Sequence, residues 1–256
     1  MSKATKHIWI AANHSFQRFD NRLIRQLSHH QPVARWEYYQ NQDEPSCLNV
    51  ALSLLEDYLD KLEQPVNLVG HGTGGLLGLL YTRRYPARVK SLTLLGVGCY
   101  PAVDWQIHYY ALREFLPCSK RIILAQMVQK IFGRQNQYNT KGLSKILQQD
   151  LDTSPSPHSL LRRVSIHPQG VKPPLMVCGS LNDTICDLNS LRGWQKYLKS
   201  EDILWECPQG NHFFHYFYPQ EVSRQILKFW RIVANKDLPA KDLSAKAVTS
   251  NISQVC

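Results

Sequence analysis

The sequence predicts an α/β fold: a mostly parallel central sheet flanked by helices, with a helical insertion before the last strands. Three observations predict it. Short apolar, β-branched runs alternate with amphipathic stretches from residue 6 to residue 98. The alternation resumes after residue 172. Between them, only helical periodicity is found. Strands that alternate with helices build βαβ crossovers, and these give parallel strands covered on both faces.

The elements follow in order. "HIWIAA" (7–12) is apolar and β-branched and is bounded by the turn-like Asn13-His14-Ser15, so it predicts a buried strand. In "RFDNRLIRQLSHH", Leu23, Ile24 and Leu27 recur at helical spacing. "PVARWEYYQ" alternates as a strand does, and the polar, proline-bearing 40–46 reads as a loop. In "CLNVALSLLEDYLDKLEQ", Leu48, Ala51, Leu52, Leu55, Leu59 and Leu62 line one face of a helix. Strand "VNLVG", helix "GGLLGLLYTRRYP" and strand "SLTLLGVG" come next. The insertion offers helices at "DWQIHYYALREFL", "KRIILAQMVQKIFG", "GLSKILQQDL" and "TSPSPHSLLRRV". Strand "PLMVCGS", helix "SLRGWQKYLKS", strand "DILWECP" and helix "PQEVSRQILKFWRIV" close the fold. The expected division is therefore a core at 1–97 and 173–235, a helical lid at 98–172, and a disordered tail at 236–256. The tail is rich in Lys, Ala, Ser and Asp and has no aromatic residue.

A chain of 256 residues can bury a substantial core as one domain. Its net charge of +10 suits an anionic partner, and it equally suits plain solubility. The insertion holds ten of the Lys and Arg residues and four of the Asp and Glu residues, with aromatic residues interleaved. Seven scattered cysteines show neither C-x-x-C nor zinc-ligand spacing, so a reducing, cytoplasmic setting and no metal are expected. The first residues carry too short an apolar run for a signal peptide, and no stretch approaches the roughly 20 apolar residues of a membrane span.

The chemistry concentrates at three points. "GHGTGG" (70–75) follows an apolar strand and opens a helix, where the pattern G-x-S-x-G would place a nucleophile. Gly72 stands at the serine position. "LMVCGSLNDTICD" ends a later strand and offers Asp183, with Asp187 as fallback. "ECPQGNHFFHYFYPQEV" offers His212 behind Gly210, with His215 three residues on. Elbow, acid and histidine in this order, each after its own strand, resemble the α/β-hydrolase fold over roughly residues 6–234. That resemblance implies Asp183 as the acid orienting His212, His212 as the general base, and Gly72 as a vacant nucleophile position. It implies an oxyanion hole from the Thr73 amide and from Ser15 or Phe16 in the loop after the first strand. Where the family often has His-Gly in that loop, this chain has Asn-His-Ser. His71 reads as structural, Cys99 as a buried thiol, and Thr73 is placed too far off the apex to attack.

Without an attacking hydroxyl no acyl-enzyme can form. Plant-hormone receptors and N-myc downstream-regulated proteins resemble hydrolases that lost catalytic residues in this way. The sequence therefore predicts a non-catalytic or impaired binding protein, a pseudoenzyme, for an apolar or acyl-type ligand or a partner. The alternative is an active esterase-like hydrolase or a lyase, in which Asp183 and His212 activate a water. No cofactor and no nucleic acid are expected. The basic lid could meet an anionic membrane surface or a protein, and in "SKRIILAQMVQKIFGR" Ile123, Met127 and Ile131 form one apolar face between basic ends.

Overall fold

A computed structural model of the chain describes residues 6–40, 43, 47–159 and 161–236. The chain runs β1 (His7–Ala11), α1 (Gln17–Ser28), β2 (Val33–Glu37), α2 (Leu48–Asp60), β3 (Val66–His71), α3 (Thr73–Arg84) and β4 (Val89–Leu95). Then come α4 (Trp105–Phe115), α5 (Lys120–Phe132) and α6 (Gln137–Thr153). It closes with β5 (Leu175–Ser180), α7 (Leu188–Arg192), β6 (Ile203–Cys207), α8 (Phe214–Phe217) and α9 (Pro219–Lys236). All strand pairs are parallel, in the order β2-β1-β3-β4-β5-β6. The strand order reverses between β1 and β3, and a crevice at such a point is where open α/β sheets hold ligands.

β1, β3 and β5 are buried along their whole length, as sequences apolar on both faces should be. One face packs Ile8, Leu68 and Leu92 against Ala51 and Leu55 of α2 and Leu77 of α3. The other packs Trp9, Val69 and Met176 against Leu23 and Leu27 of α1 and Ile226 and Phe229 of α9. A third cluster lies beyond the strand ends. Ile123, Met127 and Ile131 of α5 and Trp105 of α4 meet Phe16, Phe19 and Phe213 there. Phe132 and Phe213 stack with planes 2° apart at 4.9 Å. The apolar face of α5, a candidate for lipid in the sequence, is thus spent inside the protein.

Two predicted helices differ. Of "TSPSPHSLLRRV", Thr153 ends α6 and the other described residues form no helix: Pro155 and Pro157 remove donors and push the residues before them out of the helical region. "SLRGWQKYLKS" is shortened to α7 and a 3₁₀ turn from Gly193 to Lys196. The predicted tail lies, beyond Lys236, outside the described residues.

Candidate functional site

The turn between β3 and α3 is held by close backbone approach. A Cβ on Gly74 would lie 2.1 Å from the Ile10 carbonyl oxygen, and one on Gly70 would lie 2.5 Å from the Gly74 backbone. Neither position admits a side chain. Gly72 sits at the apex with φ 50° and ψ −120°, donates its amide to Leu95 O (3.0 Å) and caps α3 through its carbonyl, which accepts from the Leu76 amide at 2.9 Å. Thr73 begins α3, so its amide has no partner within the helix and lies at the positive end of the dipole.

Asp183 and His212 are brought together from the ends of β5 and β6. Asp183 Oδ2 accepts from His212 Nδ1 at 2.9 Å. Its Oδ1 accepts the amides of Ile185 (2.8 Å) and Cys186 (3.2 Å), which fixes the carboxylate. The loop bearing the histidine turns through Gly210 (φ 116°) and Asn211 (φ 51°). Asn211 is clamped by the Asn182 side chain, which accepts its amide at 2.9 Å. The His212 amide donates to Ile131 O of α5 at 3.1 Å. A Cβ on Gly72 would stand 3.9 Å from His212 Nε2, so the second ring nitrogen faces the apex.

The fallback residues have other employment. Asp187 caps α7 by accepting the Ser190 amide at 2.7 Å. His215 pairs with Asp20 at 3.1 Å, and Trp9 Nε1 donates to the other Asp20 oxygen at 3.1 Å. His71 lies between the rings of His212 and His215, at 4.7 and 4.4 Å, and donates from Nε2 to His212 O at 3.0 Å. Burial, reinforced by His215 and His212, holds its pKa well below the ordinary histidine value, so His71 is neutral. Asp20, His71 and His215 each offer a ligand atom within 4.8 Å of the others. However, both Asp20 oxygens and one His71 nitrogen are already engaged in hydrogen bonds. Cys99 is buried, and burial pushes its thiol pKa up, away from the reactive thiolate. None of the six described cysteines is in a disulfide.

The loop after β1 departs from the expected donor role. Ser15 Oγ donates to Asp150 Oδ1 at 2.6 Å, and the Phe16 amide donates to Asn13 O at 3.1 Å. The Phe16 amide is thus taken up in the local turn, and Asp150 draws the Ser15 side chain toward α6. Asn13 Nδ2 (3.0 Å), Trp105 Nε1 (2.9 Å) and Ser154 Oγ (2.6 Å) also donate to that carboxylate. Nothing local in the sequence marks Asp150.

Gly72, Thr73 and His212 line a cavity with Phe16, Leu76, Val97, Trp105 and Asp104. The volume open to the centre of a water molecule is about 20 Å³, room for about one water. Asp104, also missed by the sequence, caps α4 by accepting the Ile107 amide at 2.9 Å. Its Oδ2 is buried without a hydrogen-bond partner. Burial pushes its pKa up to about 6; Asp150 adds to this and His158 opposes it. His158 donates from Nε2 to Ala102 O and accepts the Val164 amide at Nδ1.

No family model matches the sequence. The chain is 45% identical to the Nostoc sp. protein alr2406 over 91% of its own length and 93% of that protein. It is 41% identical to the Synechocystis sp. protein sll0249 over 93% and 94%. Both are uncharacterised. The cis-3-alkyl-4-alkyloxetan-2-one decarboxylase of Shewanella oneidensis is 25% identical over 68% of this chain and 63% of the enzyme. Among solved structures, a bacterial membrane phospholipase A superposes with a TM-score of 0.67 at 17% identity, covering 92% of this chain and 81% of that one. Naproxen esterase from Bacillus subtilis superposes with a TM-score of 0.64 at 14% identity, covering 90% and 85%. The fold is the α/β-hydrolase fold.

Proposed function

We propose a function for a chain that belongs to the family of the Nostoc and Synechocystis proteins and carries the α/β-hydrolase fold: Asp183 and His212 activate a water above Gly72 to hydrolyse an apolar ester or lactone, without a serine nucleophile. One observation carries it. His212 Nδ1 is held on Asp183 at 2.9 Å, its Nε2 faces the apex, and the cavity that Gly72 and His212 both line admits about one water.

The step balances simply. His212 Nε2 takes a proton from water as the water oxygen bonds to the carbonyl carbon. The tetrahedral adduct then breaks its bond to the leaving oxygen, which departs with the proton from His212. Ester and water become acid and alcohol. Thr73, at the start of α3, is the candidate oxyanion donor. Phe16, Leu76, Val97 and Trp105 suit an apolar acyl group, which enters once α4, α5 and α6 give way.

The test is a panel of p-nitrophenyl esters and a dialkyl oxetan-2-one, with a fluorophosphonate probe. Slow turnover is expected, lost in His212→Ala, with no probe label on the protein. No His212-dependent turnover of any member overturns the proposal. The closed cavity favours a second reading, a binding protein without turnover. Under it, these compounds or their acids raise the melting temperature but are recovered unchanged.

A further inference from the structure

We propose that Asp104 is a catalytic residue, an oxyanion donor beside the Thr73 amide, acting as a neutral carboxylic acid. This rests on the hydrolytic function above.

Three observations lead to it. First, Phe16 N–H, one of the two donors expected in the loop after β1, is engaged on Asn13 O, and the Ser15 side chain is drawn away to Asp150. Second, Asp104 lines the same small cavity as Gly72, Thr73 and His212. Third, its two oxygens have different duties. Oδ1 is fixed as the cap of α4 by the Ile107 amide, while Oδ2 is buried with no partner. A buried carboxyl oxygen is rarely left unpaired, and this one belongs to a residue of the cavity wall.

Chemistry decides the form it takes. An ionised carboxylate would repel an oxyanion, whereas a neutral carboxylic acid donates to one. Asp104 is biased toward the neutral form by burial, and the nearby Asp150 carboxylate strengthens the bias. His158 opposes the bias without cancelling it, and both its nitrogens are hydrogen-bonded. Tyr110 is the remaining titratable neighbour on α4, and burial keeps its hydroxyl protonated. As negative charge builds on the substrate oxygen, it holds the Asp104 proton still more firmly. Asp104 thereby sets an alkaline limb of activity.

The experiment measures kcat/KM for a p-nitrophenyl ester from pH 4.5 to 9, using the full chain and its Asp104→Asn and Asp104→Ser variants. Asn and Ser both cap helices well, so α4 survives in each. The unmodified protein is expected to lose activity as pH rises beyond about 6. Asp104→Asn offers an amide donor that does not titrate. It should keep activity within about tenfold and lose the alkaline limb. Asp104→Ser reaches too short and should fall by about 10²–10³-fold, the usual worth of one such donor. Turnover in Asp104→Ser equal to the unmodified protein overturns the donor role and leaves the hydrolytic function standing. So does an Asp104→Asn variant that keeps the alkaline limb. Absence of His212-dependent turnover in the unmodified protein removes the hydrolytic function, and the role of Asp104 with it.

Discussion

A side chain at residue 72 would begin 3.9 Å from His212 Nε2, which brings a serine hydroxyl within hydrogen-bond reach of the base. Gly72→Ser is therefore expected to create fluorophosphonate labelling and a gain in ester hydrolysis, both lost in Gly72→Ser/His212→Ala. The φ of 50° is one that glycine adopts freely and serine does not, so the variant should lose about 1–3 kcal/mol of stability. A folded Gly72→Ser that stays inert would show that Asp183 and His212 are not aligned for attack at the apex. That outcome would weaken the water mechanism as well. These residues were legible in the sequence because each follows its own strand, and because Gly70 and Gly74 mark a turn too crowded for side chains. Asp104 was not legible. Its local pattern is that of an ordinary helix cap, and only the tertiary structure shows that it lines a cavity with Gly72 and that its second oxygen is buried without a partner.

The helices of the insertion are tied to the sheet through Asp150 on α6. It gathers Asn13 and Ser15 from the loop after β1, Trp105 from α4, and Ser154 beyond its own helix. Asp150→Asn turns part of the acceptor into a donor that faces other donors. The expected cost is about 1.5–3 kcal/mol, the worth of a hydrogen bond to a charged group. Urea denaturation measures it, and an unchanged midpoint would mean that α6 is held by apolar packing alone. The Asn13 and Ser15 partners lie 137 and 135 residues away, so no spacing in the sequence could announce the contact. Periodicity fared better within elements. It found α2, α5 and α9, whose apolar stripes are long. It overextended at 154–164, where prolines outweigh the apolar spacing, and at α7, which tightens into a 3₁₀ turn at Gly193.

Over the whole molecule, the surplus of positive charge has a visible place on the insertion. Arg18, Lys141 and Lys145 line a groove with Tyr138, Leu143 and Phe217, and Tyr138 is 86% exposed. No described helix is long and apolar enough to cross a membrane. We propose surface attachment through this groove rather than through the buried face of α5. Cosedimentation with anionic vesicles should be strong at low salt and should fall as salt screens the charges. Lys141→Glu/Lys145→Glu should weaken it further at low salt. Equal sedimentation of the double variant, or binding to neutral vesicles alone, would discard this surface.

The bond from the His212 amide to the Ile131 carbonyl has a mechanical implication. It makes α5 a support for the base. Were α5 to swing outward, either that bond would rupture or His212 would be pulled along, and its grip on Asp183 would be disturbed. An opening on that side would disarm the base for as long as it lasted.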